Sequence, residues 1–500
     1  MAVSKTRGSV YMMAAKLLLI GLQFVSIPVY WKVLGVGTYG VLVFITFVKT
    51  WVGVVDLGLP TGGQQLLATL FGKDEAAAWV AHRCNLFLSI LIGLLGMAIL
   101  AGFGPVLGIP KNSPVISDIP LLYLLVGVQF LIDQYRTAIS APLYSREMFG
   151  QFAVLQSVVP AVCLVVDVAA VLIWRVPLAL VCGWVFESLL GLVLAAILVR
   201  RQDRAFPFLP RFNRADAKAI MSIGIRVFGG SFSTKIGQTF DTLIVGKVLG
   251  ADAESYYTVA RRIPQVLQEL LTGITLSVVP EMTRKADDAE EFALLTRSNA
   301  RVILTVGASC ILVVGGFGTS VLMAWFHKDV PFGGAVCFVM SGYYTLELLY
   351  GAITRAFLAK NLMHFLIPFS WWNAAVTALA TGPIGSRWGL PGVAFMNLGI
   401  DVVQFVPIIL LTTKTTMPAV NPWMLMGRFL SVLSVGLAFA LGGYWLTALG
   451  PLRGHAWAGV FLAALFCGLS LATLVLTRIG SIPDRVVTRL QQLRAMVRAA

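Results

Sequence analysis

The strongest constraint on this chain is a rhythm of apolar runs, each about as long as a bilayer is thick. A helix needs roughly 20 mainly apolar residues to cross. Such runs fall near 9–32, 40–58, 78–103, 119–141, 150–173 and 177–199, and after a polar, basic stretch at 200–217 they resume near 219–246, 254–279, 299–326, 332–357, 363–386 and 390–412. Two more, near 424–449 and 456–477, precede a short basic tail. Because backbone polar groups inside a bilayer must be satisfied within the segment, about fourteen such runs define an all-α polytopic membrane protein. Hydrophobic residues make up 58% of the 500 and charged ones 12%, too apolar a balance for a water-soluble globule to cover.

The runs organise into two blocks of six: an N-lobe (1–199) and a C-lobe (218–415), joined by a linker at 200–217 and followed by a pair of helices (416–478) and a tail (479–500). Lys and Arg concentrate on one side of the alternating loops, which places both termini and the linker on the cytoplasmic side of the membrane. The stretch Lys32–Gly35 recurs at Lys247–Gly250, an offset of 215, and Leu143 and Met148 match Leu358 and Met363 at the same offset. That pattern suggests an internal duplication with parallel lobes and a cavity between them. Lys16 interrupts the first run, so no cleaved signal is expected.

Several functions are disfavoured by what the chain contains. The formal charge of +15 is dispersed among apolar segments, which fits an anionic lipid surface and not nucleic acid. Six cysteines stand singly, and four histidines form no cluster of metal-ligand spacing, so neither a metal nor another cofactor is expected. No Ser/His/Asp group, paired-carboxylate motif or phosphate loop stands at the membrane surface, and the chain does not read as an enzyme. Gly35 to Gly40 matches G-x-G-x-x-G literally, but it lies between two membrane runs with no strand before it. The tail sets Val486, Leu490, Leu493 and Val497 against Arg485, Arg489 and Arg494, as in a basic helix lying on a membrane.

Charges inside the runs carry the functional signal, because a charged side chain at mid-bilayer costs roughly 2.5–3.5 kcal/mol and faces protein or water. The cations are Lys16, Lys49, Arg226, Lys235, Arg261 and Arg262; acids at similar depth include Asp56, Asp133, Asp167, Glu187, Asp241, Glu269, Glu347 and Asp401. Helical spacing aligns Gln129, Asp133, Arg136 and Ser140 on one face, and likewise Arg262, Gln265 and Glu269. Tyr343, Glu347, Tyr350 and Thr354 form another stripe, as do Asn397, Asp401 and Gln404, and Lys49 with Asp56. The last two runs have none, and read as lipid-facing additions. Arg and Lys suit phosphate, which makes the six cations candidates for a substrate-binding cavity. Asp56, Asp133, Arg136, Asp241, Glu269, Glu347 and Asp401 are candidates for gating or ion coupling, with mutual neutralisation, as in Lys49 with Asp56 or Arg262 with Glu269, as the competing explanation. Arg226 and Lys235 lie about 180° apart on a straight helix, so they share a cavity only if Gly229 and Gly230 bend it.

The segments Val33-Leu-Gly-Val-Gly-Thr-Tyr-Gly40 and Asp56-Leu-Gly-Leu-Pro-Thr-Gly62 resemble bacterial Wzx-type repeat-unit flippases, the polysaccharide-transport branch of the multidrug/oligosaccharidyl-lipid/polysaccharide superfamily. Phe240-Asp-Thr-Leu-Ile-Val-Gly-Lys-Val-Leu-Gly250, Tyr256-Tyr-Thr-Val-Ala-Arg-Arg262 and Val278-Val-Pro-Glu-Met282 are similar to that family's seventh-to-eighth-helix signature, and Asp241 matches its acidic position there. Lys235 and the Arg261–Arg262 pair depart from the family pattern. The resemblance implies a V-shaped transporter that alternates access and carries an undecaprenyl-diphosphate-linked oligosaccharide to the periplasmic leaflet for surface polysaccharide synthesis. Its implied partners are that polyprenyl-diphosphate-linked glycan, membrane lipids, a coupling ion (H+ or Na+) and a polysaccharide polymerase with its chain-length machinery. A drug/cation antiporter and a peptidoglycan-precursor flippase are the alternatives within the superfamily.

Overall fold

The structure is a computed structural model. It describes residues 2–477 apart from 72, 108–109, 147, 204–205, 277–281, 283–284, 286–287, 361, 363–364 and 419. For 2–17, 54–55, 61, 107, 149, 153, 226–227, 229–238, 273–276 and 358 it describes the backbone alone. Every regular element among the described residues is helical. Two compact units result, Met1–Ser255 and Tyr256–Ala500.

The first unit contains α1 (Ala2–Leu34), α2 (Val36–Val52), α3 (Leu59–Phe71), α4 (Glu75–Leu107), α5 (Ile119–Ser145), α6 (Phe149–Ala153), α7 (Val159–Trp174), α8 (Pro177–Gln202) and α9 (Arg214–Leu249), with the first turn of α10 (Ala251–Leu276). The expected single run at 40–58 is in fact interrupted. After α2 the chain makes a 3-10 turn at Gly53–Asp56, Leu57 and Gly58 take positive φ, and α3 starts afresh. Gly58 suits that break twice over: it tolerates φ +73, and a Cβ there would sit 2.4 Å from the Gly224 carbonyl oxygen of α9. The basic residue after α5 acts as a staple. Arg146 pairs with Glu75 and, at 3.7 Å, with Asp203, while its guanidinium lies 4.4 Å from the Phe71 ring centroid. Beneath it, Leu86, Leu143, Val199 and Phe206 form a buried cluster joining α4, α5 and α8.

The second unit continues α10 and adds α11 (Ala289–Gly307), α12 (Val313–Gly316), α13 (Gly318–Phe326), α14 (Gly333–Ala359), α15 (Ile367–Thr416), α16 (Pro422–Tyr444) and α17 (Ala456–Leu476). Helix starts are capped where side-chain chemistry allows: Asp288 accepts from the Glu290 and Glu291 amides, and Asn421 accepts from Trp423 N ahead of Pro422. Three contacts between α10 and α14 share one sequence separation of 83: Tyr257 with Met340, Arg261 with Tyr344, and Thr272 with Arg355. A constant separation means the two helices run parallel in register. Lys360 follows α14 as Arg146 follows α5, and it too lies over an aromatic ring, 4.4 Å from Phe292.

Nine described helices are long and apolar enough to cross a bilayer, and one of them, α15, is two passages joined at Gly389, whose φ of 62° and ψ of −155° break the helix. Adding α1, α2, α9 and α10, which are shorter in apolar length or richer in charge, gives the fourteen passages expected. In the last two, only 28% and 22% of the apolar window is buried, against 72% in Gly333–Phe357, so most residues of those windows in α16 and α17 are not buried in the protein, as also in α8 at 28%. They attach through close packing: Val313 and Phe317 pack on Ala463 and Phe466 of α17, and a Cβ at Gly316 would lie 2.1 Å from the Ala440 carbonyl oxygen of α16.

Candidate functional site

In the first unit, side chains of three helices, α2, α5 and α8, meet at one carboxylate. Lys49 of α2 donates to Asp133 Oδ2 of α5 at 2.8 Å; Ser188 of α8 donates to Oδ1 at 2.7 Å; Arg136, one turn along α5, approaches Oδ1 at 3.3 Å. Arg136 fits there because Gly191 on α8 leaves room for its guanidinium. Glu187 stands within electrostatic reach of Arg136, Asp133 and Lys49, and of Asp167 on α7. Asp167 is buried, packs on Gly183, and its Oδ1 has no hydrogen-bond partner among the described residues. Three carboxyl groups thus accompany two cations. Lys49, Asp133 and Arg136 nevertheless remain about one-fifth exposed, at 20%, 23% and 18% of their side chains.

The Lys49–Asp56 pairing suggested by their seven-residue spacing is not formed, because α2 ends at Val52. Asp56 lies on the 3-10 turn and accepts from the Gly58 amide at 2.8 Å instead. Asp241, buried near the end of α9, accepts from the Thr242 amide and hydroxyl. The side chains of Lys16, Arg226 and Lys235 lie outside the described residues. The backbone between the last two stays helical through Gly229 and Gly230.

In the second unit, Arg262 approaches Glu269 at 3.5 Å and Gln265 donates to the same oxygen at 3.1 Å, so this expected stripe forms a pair along α10. Arg261 is buried; its Nε donates to Tyr344 and its guanidinium sits 5.6 Å from the Tyr257 ring centroid. Asn397 donates to the Tyr257 hydroxyl at 3.0 Å. Tyr343 donates to Glu347, and Tyr350 donates to the Asp401 backbone carbonyl. Asp401 itself is buried within electrostatic reach of Glu347, and its Oδ2 has no partner among the described residues. These contacts bring the polar faces of α14 and α15 together. Arg355 was not singled out from the sequence. It is buried on α14, donates to the Thr272 carbonyl at 3.3 Å, and keeps a second guanidinium nitrogen without a partner among the described residues. Its position inside the tenth apolar run was the available signal.

Ionic and hydroxyl groups that stay partly exposed, set among long apolar helices, define a polytopic membrane protein with a polar interior. The fold agrees. It matches the lipid II flippase MurJ in an inward closed conformation with a TM-score of 0.74, at 13% identity, over 95% of this chain and 100% of that one. An inward-facing multidrug resistance MATE transporter of the MOP superfamily matches with a TM-score of 0.59, at 12% identity, over 81% of this chain and 98% of that one. A MOP superfamily transporter from Pyrococcus furiosus, described as having a binding pocket of reverse polarity, gives 0.57 at 12% identity over 82% and 95%. The chain belongs to the polysaccharide biosynthesis protein family, which matches residues 33–314. Among curated proteins it is similar to the amylovoran biosynthesis protein AmsL of Erwinia amylovora, 23% identical over 341 residues, covering 66% of this chain and 82% of that one. The resemblance carried by the Val33–Gly62 and Phe240–Met282 motifs is therefore correct.

Proposed function

We propose that this transporter flips a polyprenyl-diphosphate-linked oligosaccharide from the cytoplasmic to the periplasmic leaflet of the inner membrane, by alternating access between its two lobes, for surface polysaccharide synthesis. The observation that carries the reading is the state of its interior cations. Lys49, Arg136 and Arg262 each have a carboxylate neighbour yet stay about one-fifth exposed. Partly hydrated pairs of this kind can exchange a carboxylate for a phosphate without leaving a bare charge in a low-dielectric site. Arg355 adds a guanidinium with capacity to spare.

The acids then divide by role. Asp133 holds the cations in place, whereas Glu347 and Asp401 form an acidic pair suited to a coupling H+ or Na+. A drug antiporter requires an acidic, aromatic cavity for cationic cargo, and the Arg-rich second unit supports the anionic cargo better. A deletion strain is expected to accumulate lipid-linked repeat units on the cytoplasmic leaflet. Lys49→Ala and Arg262→Ala are expected to cut export about tenfold each, the worth of one charge-assisted contact, with the protein still present in the membrane. Intact surface polysaccharide in the deletion strain, or full complementation by both variants, would refute the proposal. Loss of viability on deletion would point instead to a peptidoglycan precursor.

A further inference from the structure

The first unit holds one carboxyl group that the transport reading does not use. Asp167 lies inside α7, seven residues before its end at Trp174 and so about 10 Å from that end, with only 2% of its surface exposed. Its Oδ1 rests on the backbone of α8: a Cβ added at Gly183 would lie 1.8 Å from it. The same oxygen has no hydrogen-bond partner among the described residues. An ionised carboxylate placed there loses its water without gaining a donor, and a group so placed neutralises instead.

The elements packed on α7 are α1, α8 and the turn Val154–Val158, which carries no charged residue. From α8 the nearest ionisable group is another acid. Gly183, Glu187 and Gly191 share one face at four-residue spacing, with Asp167 seated at the first and Arg136 at the last, so Glu187 stands between them. From α1 comes Tyr30, whose buried hydroxyl also has no partner among the described residues and lies within electrostatic reach of both carboxyls. Cys163, one turn earlier on α7, adds a buried thiol. Lys32 and Arg175, at the ends of α1 and α7, are exposed, and Lys16 lies fourteen residues before Tyr30, about 21 Å along the helix. The described neighbours of Asp167 are thus an acid, a phenol and a thiol, with no cation to hold it ionised.

We infer that Asp167 is a proton-binding site, whose proton exchanges through Glu187 with the partly exposed group of Lys49, Asp133 and Arg136. The ligand is a proton and not a metal cation, because Oδ1 lies directly against α8 and leaves no space for an ion on that side. The route follows one face of α8. A proton leaving Asp167 meets Glu187 one turn on, and Ser188 beside it donates to Asp133, the carboxylate that Lys49 and Arg136 flank. In that transfer the O–H bond of one carboxylic acid breaks as another forms on the neighbouring carboxylate, and the negative charge moves the opposite way. Chains of Asp and Glu inside a membrane protein serve proton relays in this manner. The site is separate from the Glu347–Asp401 pair of the second unit, and it stands whatever cargo the protein moves.

The test reads the acid directly, by infrared spectroscopy of the full chain purified in detergent at neutral pH. The difference spectrum between wild type and Asp167→Asn is expected to show the carbonyl stretch of a protonated carboxylic acid, present in the wild type, shifted in D2O and absent from the variant. Asp167→Asn should fold and melt as the wild type does, since a carboxamide has the size and the neutral charge of the protonated acid. Glu187→Gln should keep the band but slow its exchange in D2O about a hundredfold, the low end of what a positioned proton-transfer group contributes. Replacing choline chloride by sodium chloride should leave the band intact. A difference spectrum that shows ionised carboxylate in place of the acid, or an Asp167→Asn chain that fails to fold, overturns the assignment. Wild-type exchange in Glu187→Gln overturns the route, and loss of the band to sodium makes this a sodium site and overturns the proton.

Discussion

Replacing Asp133 with Asn removes a charge from the first unit while keeping a side chain that accepts from Ser188. What is lost is the attraction to Lys49 at 2.8 Å and to Arg136 at 3.3 Å. At an effective dielectric constant near 20, a pair about 4 Å apart attracts by roughly 4 kcal/mol before desolvation is counted. Breaking a fully buried pair costs about 3–5 kcal/mol. These side chains are about one-fifth exposed, so water recovers part of the loss, and about 2 kcal/mol is the expected net cost. In a cooperative unit the size of Met1–Ser255 that corresponds to a drop of roughly 4–8 °C in melting temperature, read by intrinsic fluorescence of the detergent-purified protein. The decisive measurement is the double-mutant cycle with Lys49→Met. Because the methionine removes the cation that Asp133→Asn leaves without its carboxylate, the double variant should recover about 1 kcal/mol relative to the sum of the two single losses. Additivity within about 0.3 kcal/mol would mean that the two residues do not interact, and the site built on them would fall.

Other substitutions probe packing and buried polarity. A Cβ at Gly40 would lie 2.0 Å from the Ala251 carbonyl oxygen, a backbone atom that cannot step aside, so Gly40→Ala should cost about 1–3 kcal/mol in thermal unfolding. Gly351 has open space around its Cβ direction, and Gly351→Ala should be neutral or add up to about 1 kcal/mol; similar losses at both sites would contradict the helix contacts described. Glu254 is fully buried beside Phe44 and Tyr123, with neither carboxyl oxygen partnered among the described residues. Glu254→Met should therefore raise the melting temperature, whereas a fall would reveal an interaction that the described contacts lack. Asn397→Ala removes the hydrogen bond to the Tyr257 hydroxyl and should destabilise the second unit by about 1 kcal/mol on denaturant unfolding.

The passages were legible because bilayer thickness acts on local composition: a window of about 20 residues contains the whole argument, and no partner need be known. Breaks set by tertiary contact were not. Gly58 is a local sign that the chain can turn there, but the close approach of Gly224 in α9, which also favours glycine at that point, is not written in the composition of 40–58. The same division explains the site. Helical spacing found Asp133 with Arg136, and Arg262 with Glu269, because both pairs lie on single helices. It paired Lys49 with Asp56, seven residues away, when the partner is 84 residues away on α5. Arg355 escaped for a related reason. The stripe through Tyr343, Glu347, Tyr350 and Thr354 follows one face of α14, and Arg355 is the next residue after its last member, about 100° round the helix. That turn directs it to α10, along the contact line that Met340 and Tyr344 share. Periodicity within one helix therefore finds a polar face, but the partners of a second face are fixed by the register between helices. Here that register was readable only as the recurring separation of 83, once the contacts themselves were known.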